Sequence, residues 1–99
     1  MPKMTGAKFI AETLHAYGVT HFFFMPVVIP DAMPDIQRLG IKRIIAHAEK
    51  PSAYIADGYA RVSKKVGICG AQAVGGMNLA AGIQDAYLAC SPVIALTGR

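Results

Sequence analysis

The amino-acid sequence predicts an α/β fold, an open parallel sheet with helices on both faces, built from four βα units. Helix and strand patterns alternate along the 99 residues in the order α-β-α-β-α-β-α-β, with only short turns between them. The strand segments are nearly continuous apolar runs, which is typical of parallel strands covered on both faces. A hydrophobic fraction of 54% with a charged fraction of 16% excludes a disordered chain.

The first half of the chain supplies two helices and two strands. Thr5 is expected to cap the first helix. Ile10, Leu14 and Tyr17 are spaced at i, i+4 and i+7 and form one apolar stripe, so the helix should continue to Tyr17. Gly18 is placed to end it. The elements that follow are a strand at 19–25, a helix at 31–39 capped by Asp31, and a strand at 41–47.

The second half of the chain is richer in alanine and glycine. A helix is expected from Glu49 to about Val62, and Ala53, Ala56 and Ala60 share one face of it, which would let it lie close to a neighbour. The elements that follow are a strand at 66–69, a flexible loop at 70–76, a helix at 78–90 and a strand at 92–97. Because the chain ends directly after a buried strand, residues 1–99 are expected to be a partial domain whose fourth strand leaves an exposed edge.

Basic residues are concentrated in the middle of the chain, which carries a net charge of +4. Seven of the ten lie between Arg38 and Lys65. No recognition-helix or stacking motif accompanies them, and Arg61 lies near a helix end, where a cation interacts favourably with the helix dipole. No apolar run reaches the length of a membrane span, and no signal-peptide pattern follows Lys3. We therefore expect a cytoplasmic protein with no nucleic-acid partner and no membrane partner.

Residues that commonly bind metals or act as nucleophiles are scattered along the sequence. His15, His21 and His47 form no metal-ligand pattern. Cys69 and Cys90 lack ligand spacing and lie among apolar residues, so both are expected to be buried free thiols. No metal ligand is therefore expected in this chain.

The segments that follow the predicted strands are the first place to look for a site. Ligands of open parallel sheets bind outside the carboxyl ends of the strands. Residues 25–27, 47–49, 70–78 and 98–99 follow the four strands in turn. Glu49 and the Gly75-Gly76 segment should therefore face one crevice if their strands are neighbours.

Several common sites do not fit this pattern. The glycines at 70, 75 and 76 lack the G-x-G-x-x-G spacing of a dinucleotide site, and no Walker-type phosphate loop is present. No G-x-S-x-G motif surrounds Ser52. Glu49 considered alone also has a structural interpretation, since an acid in the first turn of a helix is stabilised by the helix dipole. Position alone favours this structural interpretation over a functional one.

Five segments, in order and at matching spacing, resemble one enzyme family. His47-Ala48-Glu49, followed by Ala-Tyr-Ile-Ala-Asp-Gly-Tyr-Ala-Arg at 53–61, resembles the segment around the catalytic glutamate of thiamine diphosphate-dependent enzymes of the acetolactate synthase and 2-oxoacid decarboxylase group. The other matching segments are residues 18–26, 66–69, 75–87 and 91–98. The resemblance covers essentially the whole chain and reverses the preference for a structural Glu49.

The resemblance implies the N-terminal part of a pyrimidine-binding (Pyr) domain, the thiamine diphosphate-binding portion of an enzyme that decarboxylates or joins 2-oxoacids. In that family the glutamate hydrogen-bonds N1′ of the cofactor's aminopyrimidine and so promotes removal of the C2 proton. Carried over by position, Glu49 takes this catalytic role. Pro26 would lie against the pyrimidine, and Gly75, Gly76 and Asn78 would line the same pocket.

The resemblance also implies what lies outside this chain. In the family a separate domain holds the diphosphate and Mg²⁺, and the cofactor lies between two subunits. The full-length parent is thus expected to be a homodimer or homotetramer, a lyase or transferase acting on small 2-oxoacids, and this piece is expected to be inactive alone. Whether the parent also binds FAD is left open. The alternatives are a non-catalytic flavodoxin-like or Rossmann-like binding domain and a degenerate fragment.

Two departures from the family pattern leave the exact reaction open. Val27 stands where the family usually has a glycine after the proline of the first loop. Residues 73–78, Ala-Val-Gly-Gly-Met-Asn, stand where the family usually has Gly-Pro-Gly-Ala-Thr-Asn. His47 also lies one position earlier than the histidine that commonly precedes the family's glutamate.

Overall fold

The computed structural model describes residues 3–98 as a four-stranded parallel sheet with helices on both faces. A 3₁₀ turn at Pro30–Ala32 precedes the second helix. In chain order the elements are α1 (Gly6–Ala16), β1 (His21–Phe24), α2 (Met33–Arg38), β2 (Lys42–Ile45), α3 (Glu49–Ser63), β3 (Gly67–Gln72), α4 (Val74–Leu88) and β4 (Val93–Gly98). The predicted fold class and the order of elements are confirmed. The prediction for Arg99 lies outside the described residues.

The strand order across the sheet is β2-β1-β3-β4. The chain passes from β1 to β2 on one side, and α3 then carries it across β1 to β3 on the other side. The direction of winding therefore reverses between β1 and β3, and this reversal marks the crevice where doubly wound sheets bind ligands. None of the helices in residues 3–98 is long and apolar enough to cross a membrane.

Two hydrophobic cores fill the space between the sheet and its two layers of helices. Successive strand residues point to opposite faces, so the three phenylalanines of β1 supply both cores. Phe22 and Phe24 pack with α1 and α2, in the core that includes Leu14 and Ile36. Phe23 packs with α3 and α4, in a core that consists mainly of small residues and also includes Leu79.

Helices α3 and α4 approach each other closely where the predicted small residues lie. A Cβ atom at Gly82 would stand 2.6 Å from the carbonyl oxygen of Lys50 and 2.8 Å from the Cβ of Ala53. Ala53, Ala56 and Ala60 are all buried. The expected close approach of α3 to a neighbour is thus confirmed, and it places the first turn of α3 against the middle of α4.

The prediction of a flexible loop at 70–76 is wrong. Gly70 and Ala71 pair with Leu96 and Thr97 of β4, which extends β3 to Gln72. Helix α4 begins at Val74 rather than at residue 78, so Gly75 and Gly76 lie in its first turn.

The structure corrects three further expectations. Asp31 lies in the 3₁₀ turn and does not cap α2, whose N-cap residue is Ala32. Cys90 is exposed, because α4 has already ended and the backbone at Cys90 turns to a φ of +54°. All four residues of β2 are exposed, since this strand lies at an edge of the sheet and is not covered on both faces. The edge expected at β4 is present.

Candidate functional site

Glu49 is the first residue of α3 and is half-buried at the carboxyl edge of the sheet. The backbone of Ala48, the N-cap residue, is extended with a φ of −160°, and its side chain makes no capping hydrogen bond. The first turn is held by Ser52, whose buried hydroxyl donates to the main-chain carbonyl of Glu49 over 2.6 Å. An acid at this point interacts favourably with the helix dipole. The first turn therefore fixes the backbone of Glu49 and leaves its side chain to other contacts.

Gly75, in the first turn of α4, lies directly against the Glu49 side chain. A Cβ atom at position 75 would stand 2.8 Å from Oε1 and 3.1 Å from Cγ of Glu49. A Cβ atom at Gly76 would instead face the Cγ2 methyl of Thr97, at 3.2 Å. The two glycines thus have different surroundings, and only Gly75 meets Glu49.

A cleft of about 430 Å³ opens between the first turns of α3 and α4. Glu49 and Asn78 both line it. Its lining residues are Ala48, Glu49, Lys50, Pro51, Met77, Asn78 and Ala81. Gly75 and Gly76 do not line this cleft, and neither does Pro26, which is exposed just after β1. The structure thus brings Glu49 and Asn78 to one cleft and places Gly75 against Glu49, whereas Pro26 and Gly76 neither line the cleft nor meet Glu49.

The carboxylate of Glu49 has no hydrogen-bond or ion-pair partner among residues 3–98. Lys50 lines the same cleft and contributes positive charge. Within that same part of the chain, no group of three or more His, Cys, Asp and Glu side chains is placed to hold a metal ion. The cleft therefore offers one carboxylate able to share a proton with a ligand, one amide and apolar walls.

Asp57 is a buried acid that the sequence analysis did not single out. Its two carboxylate oxygens accept hydrogen bonds of 2.8 Å from Nε and Nη2 of Arg61, one helical turn later. The hydrogen bonds from Arg61, with a smaller contribution from Ser91, hold the pKa of the Asp57 carboxyl below its ordinary value. Asp57 lies about two helical turns along α3 from Glu49. Opposite charges at i and i+4 were the available sequence signal.

The two cysteines differ in environment and neither lines the cleft. Burial raises the pKa of the Cys69 thiol to about 11, so this group stays protonated at neutral pH. Cys90 is exposed. The prediction of a buried free thiol is confirmed for Cys69 and wrong for Cys90.

Comparisons with known proteins agree on one family. A family model described as thiamine pyrophosphate enzyme, N-terminal TPP binding domain, matches residues 4–99. Acetolactate synthase of Arthrospira platensis is 38% identical over 98% of the chain and 18% of its own length. The large subunit of acetolactate synthase isozyme 2 from Escherichia coli K12 is 37% identical over 97% of the chain and 18% of its own length. Sulfoacetaldehyde acetyltransferase of Alcaligenes xylosoxydans xylosoxydans is 40% identical over 96% of the chain and 16% of its own length. The chain spans less than a fifth of the length of each of these three relatives.

Proposed function

Because the chain belongs to the family of N-terminal TPP-binding domains of thiamine pyrophosphate enzymes, we propose that it binds the aminopyrimidine of thiamine diphosphate in an acetolactate synthase-like enzyme acting on 2-oxoacids. The observation that carries this proposal is the unpartnered carboxylate of Glu49 beside the cleft at the carboxyl edge of the sheet. A half-buried acid without an internal partner can exchange a proton with a ligand.

The chemistry of the cleft fits an aminopyrimidine ring. A flat heteroaromatic ring needs apolar walls, which Pro51, Met77 and Ala81 supply. Glu49 supplies a carboxyl group that can hold a proton against a ring nitrogen. The amide of Asn78 can both donate and accept hydrogen bonds. These groups suit a ring that carries an acceptor nitrogen next to a donor amino group.

Glu49 would act as the proton-holding group of the reaction. When bound, thiamine diphosphate supplies an electron sink for the carbanion formed from a 2-oxoacid. Glu49 would hold a proton against a ring nitrogen of the aminopyrimidine. The start of α3 supports this role, because the backbone that carries Glu49 is fixed by the hydroxyl of Ser52. Pro26 and Gly76 would border the ring from outside the cleft.

We further propose that the diphosphate and its Mg²⁺ are bound outside residues 1–99. The family places these groups on another domain, and the chain covers only 16–18% of the relatives described above. The native protein carrying this chain would then be a cytoplasmic lyase or transferase that assembles as a homodimer or homotetramer.

Binding of the cofactor's ring alone tests the proposed function in the 99-residue chain. The probe is 4-amino-5-hydroxymethyl-2-methylpyrimidine, added to ¹⁵N-labelled protein and followed by the amide shifts of α3 and α4. We expect saturable shifts confined to the cleft. Glu49→Gln should weaken binding about tenfold or more, because it removes a hydrogen bond to a charged group.

Glu12→Gln is the matched control, because Glu12 lies on α1, on the opposite face of the sheet, and pairs with Arg38. It should bind the ring as the unmodified chain does. Equal binding by the Glu49→Gln variant would refute the proposed role. Saturable binding of flavin mononucleotide in its place would instead support a flavodoxin-like binding domain.

A further inference from the structure

We infer that Gly75 is a positioning residue for Glu49, because its missing side chain leaves the space that the Glu49 carboxyl group occupies. The inference rests on the proposed function only in giving Glu49 a catalytic role. The effect of Gly75 on the position of the Glu49 side chain follows from the contact between the two residues. Gly75 supplies no donor or acceptor side chain and acts only through Glu49.

The contact leaves no room for a methyl group. A Cβ atom at position 75 would be 2.8 Å from Oε1 of Glu49, 3.1 Å from its Cγ and 3.3 Å from the Cβ of Ala71. Cβ atoms essentially never come within 3.0 Å of a heavy atom of a residue that is not their neighbour in the chain. One of the neighbouring groups must therefore move when a side chain is added.

The group that moves is the Glu49 side chain, because the backbone around Gly75 is fixed. The amide of Ala73 donates to the carbonyl of Gly98 over 2.8 Å, and the amide of Gly76 donates to the carbonyl of Ala73 over 2.9 Å. Ala71 is paired with Thr97 in the sheet. The carboxyl end of Glu49 is flexible by comparison. Gly75→Ala should thus leave the fold intact and turn the carboxyl group away from its position.

Gly76 provides a matched control in the same helical turn. Both glycines have negative φ, so alanine fits the backbone at either position. At Gly76 the added Cβ meets the Thr97 methyl at 3.2 Å and does not meet Glu49. Gly76→Ala should consequently leave the carboxyl group of Glu49 where it is.

The test measures the Glu49 carboxyl group directly in the full 99-residue chain. The protein is labelled with ¹³C-glutamate, and the carboxyl resonance of Glu49 is identified by its loss in Glu49→Gln. We expect Gly75→Ala to shift this resonance well beyond the shift caused by Gly76→Ala. Ring binding, followed with the aminopyrimidine probe, should weaken about tenfold or more in Gly75→Ala and stay within about twofold in Glu12→Gln.

The outcomes separate the inference from the proposed function. An unmoved Glu49 resonance in Gly75→Ala overturns the inference. A moved resonance together with full ring binding by Glu49→Gln upholds the inference and refutes the function. If Gly75→Ala does not fold, the substitution is repeated in a Glu49→Ala background, where the obstructing group is gone. Recovery of the fold there supports the inference, and continued unfolding overturns it.

Discussion

Gly82→Ala tests the close approach of α3 and α4, on which the shape of the cleft depends. The added Cβ would lie 2.6 Å from the Lys50 carbonyl oxygen and 2.8 Å from the Cβ of Ala53. Neither atom is the end of a flexible side chain, so the helices must separate. Overpacking of this kind costs about 1–3 kcal/mol, and the better helix propensity of alanine returns about 1 kcal/mol. The two effects together lower the free energy of unfolding by about 0–2 kcal/mol, and the 2.6 Å approach to a backbone oxygen places Gly82→Ala toward the upper end.

Gly58→Ala is the matched control, because Gly58 lies inside α3 with nothing within 4 Å of its added Cβ. Only the propensity gain applies there, so the free energy of unfolding should rise by about 1 kcal/mol. Both variants are compared with the unmodified chain by urea unfolding followed by circular dichroism. The two changes should have opposite signs. If Gly82→Ala is as stable as Gly58→Ala, α3 and α4 are not in the contact described, and the cleft between them does not have the shape described.

Three more outcomes follow from the structure. Ala73→Gly should raise the free energy of unfolding by about 1 kcal/mol in the same urea assay, because Ala73 has φ +48° and ψ −119°, a conformation that glycine adopts without strain; unchanged stability would contradict this. Asp57→Asn should make the free energy of unfolding less sensitive to acid. The pKa of Asp57 is lower in the folded protein than its ordinary value of 3.8, so this carboxylate stabilises the fold at pH values above 3.8, and that stabilisation is lost as the pH falls through the folded pKa. Urea unfolding between pH 2 and 7 checks this, and an equally steep acid loss in the variant would show that the pair with Arg61 contributes little. A thiol reagent should label Cys90 at once and Cys69 only on unfolding, and rapid modification of both would contradict the burial of Cys69.

Local sequence signals predicted much of the fold. The spacing of apolar residues and the Thr5 cap predicted α1, and the amide of Lys8 does donate to the Thr5 hydroxyl over 3.2 Å. Gly18 follows α1 with φ +76°, as expected of the residue that ends a helix. These features depend on contacts within a few residues, so a sequence pattern is enough to reveal them.

Residues 70–76 do not form the predicted flexible loop, because glycines in this segment make close tertiary contacts. A Cβ at Gly70 would stand 2.8 Å from the Phe22 ring, and Gly75 meets Glu49. Glycine is also the usual residue of loops, and the sequence alone does not distinguish these two uses. Pairing of β3 with β4 decides that residues 70–72 form a strand, and that pairing is a property of the whole sheet.

The candidate site was predictable in part. The place of Glu49 between a strand and a helix singles it out, and the resemblance to the family predicts a functional role for Glu49 and Asn78. That Glu49 and Asn78 share one cleft depends on the approach of α3 to α4. Gly75 contacts Glu49 whereas Gly76 contacts Thr97. The sequence does not reveal this difference, because it depends on the tertiary packing around each glycine.

Exchange of the C2 proton of bound thiamine diphosphate tests the central claim most directly. The native protein carrying this chain is loaded with the cofactor, and hydrogen–deuterium exchange at C2 is followed by NMR for the unmodified protein, Glu49→Gln and Glu12→Gln. Proton transfer by a positioned side chain typically contributes about 10²–10⁴-fold. We predict that Glu49→Gln retains the cofactor and slows exchange by about 100-fold or more, whereas Glu12→Gln exchanges normally. Unchanged exchange in Glu49→Gln with cofactor bound would contradict the account.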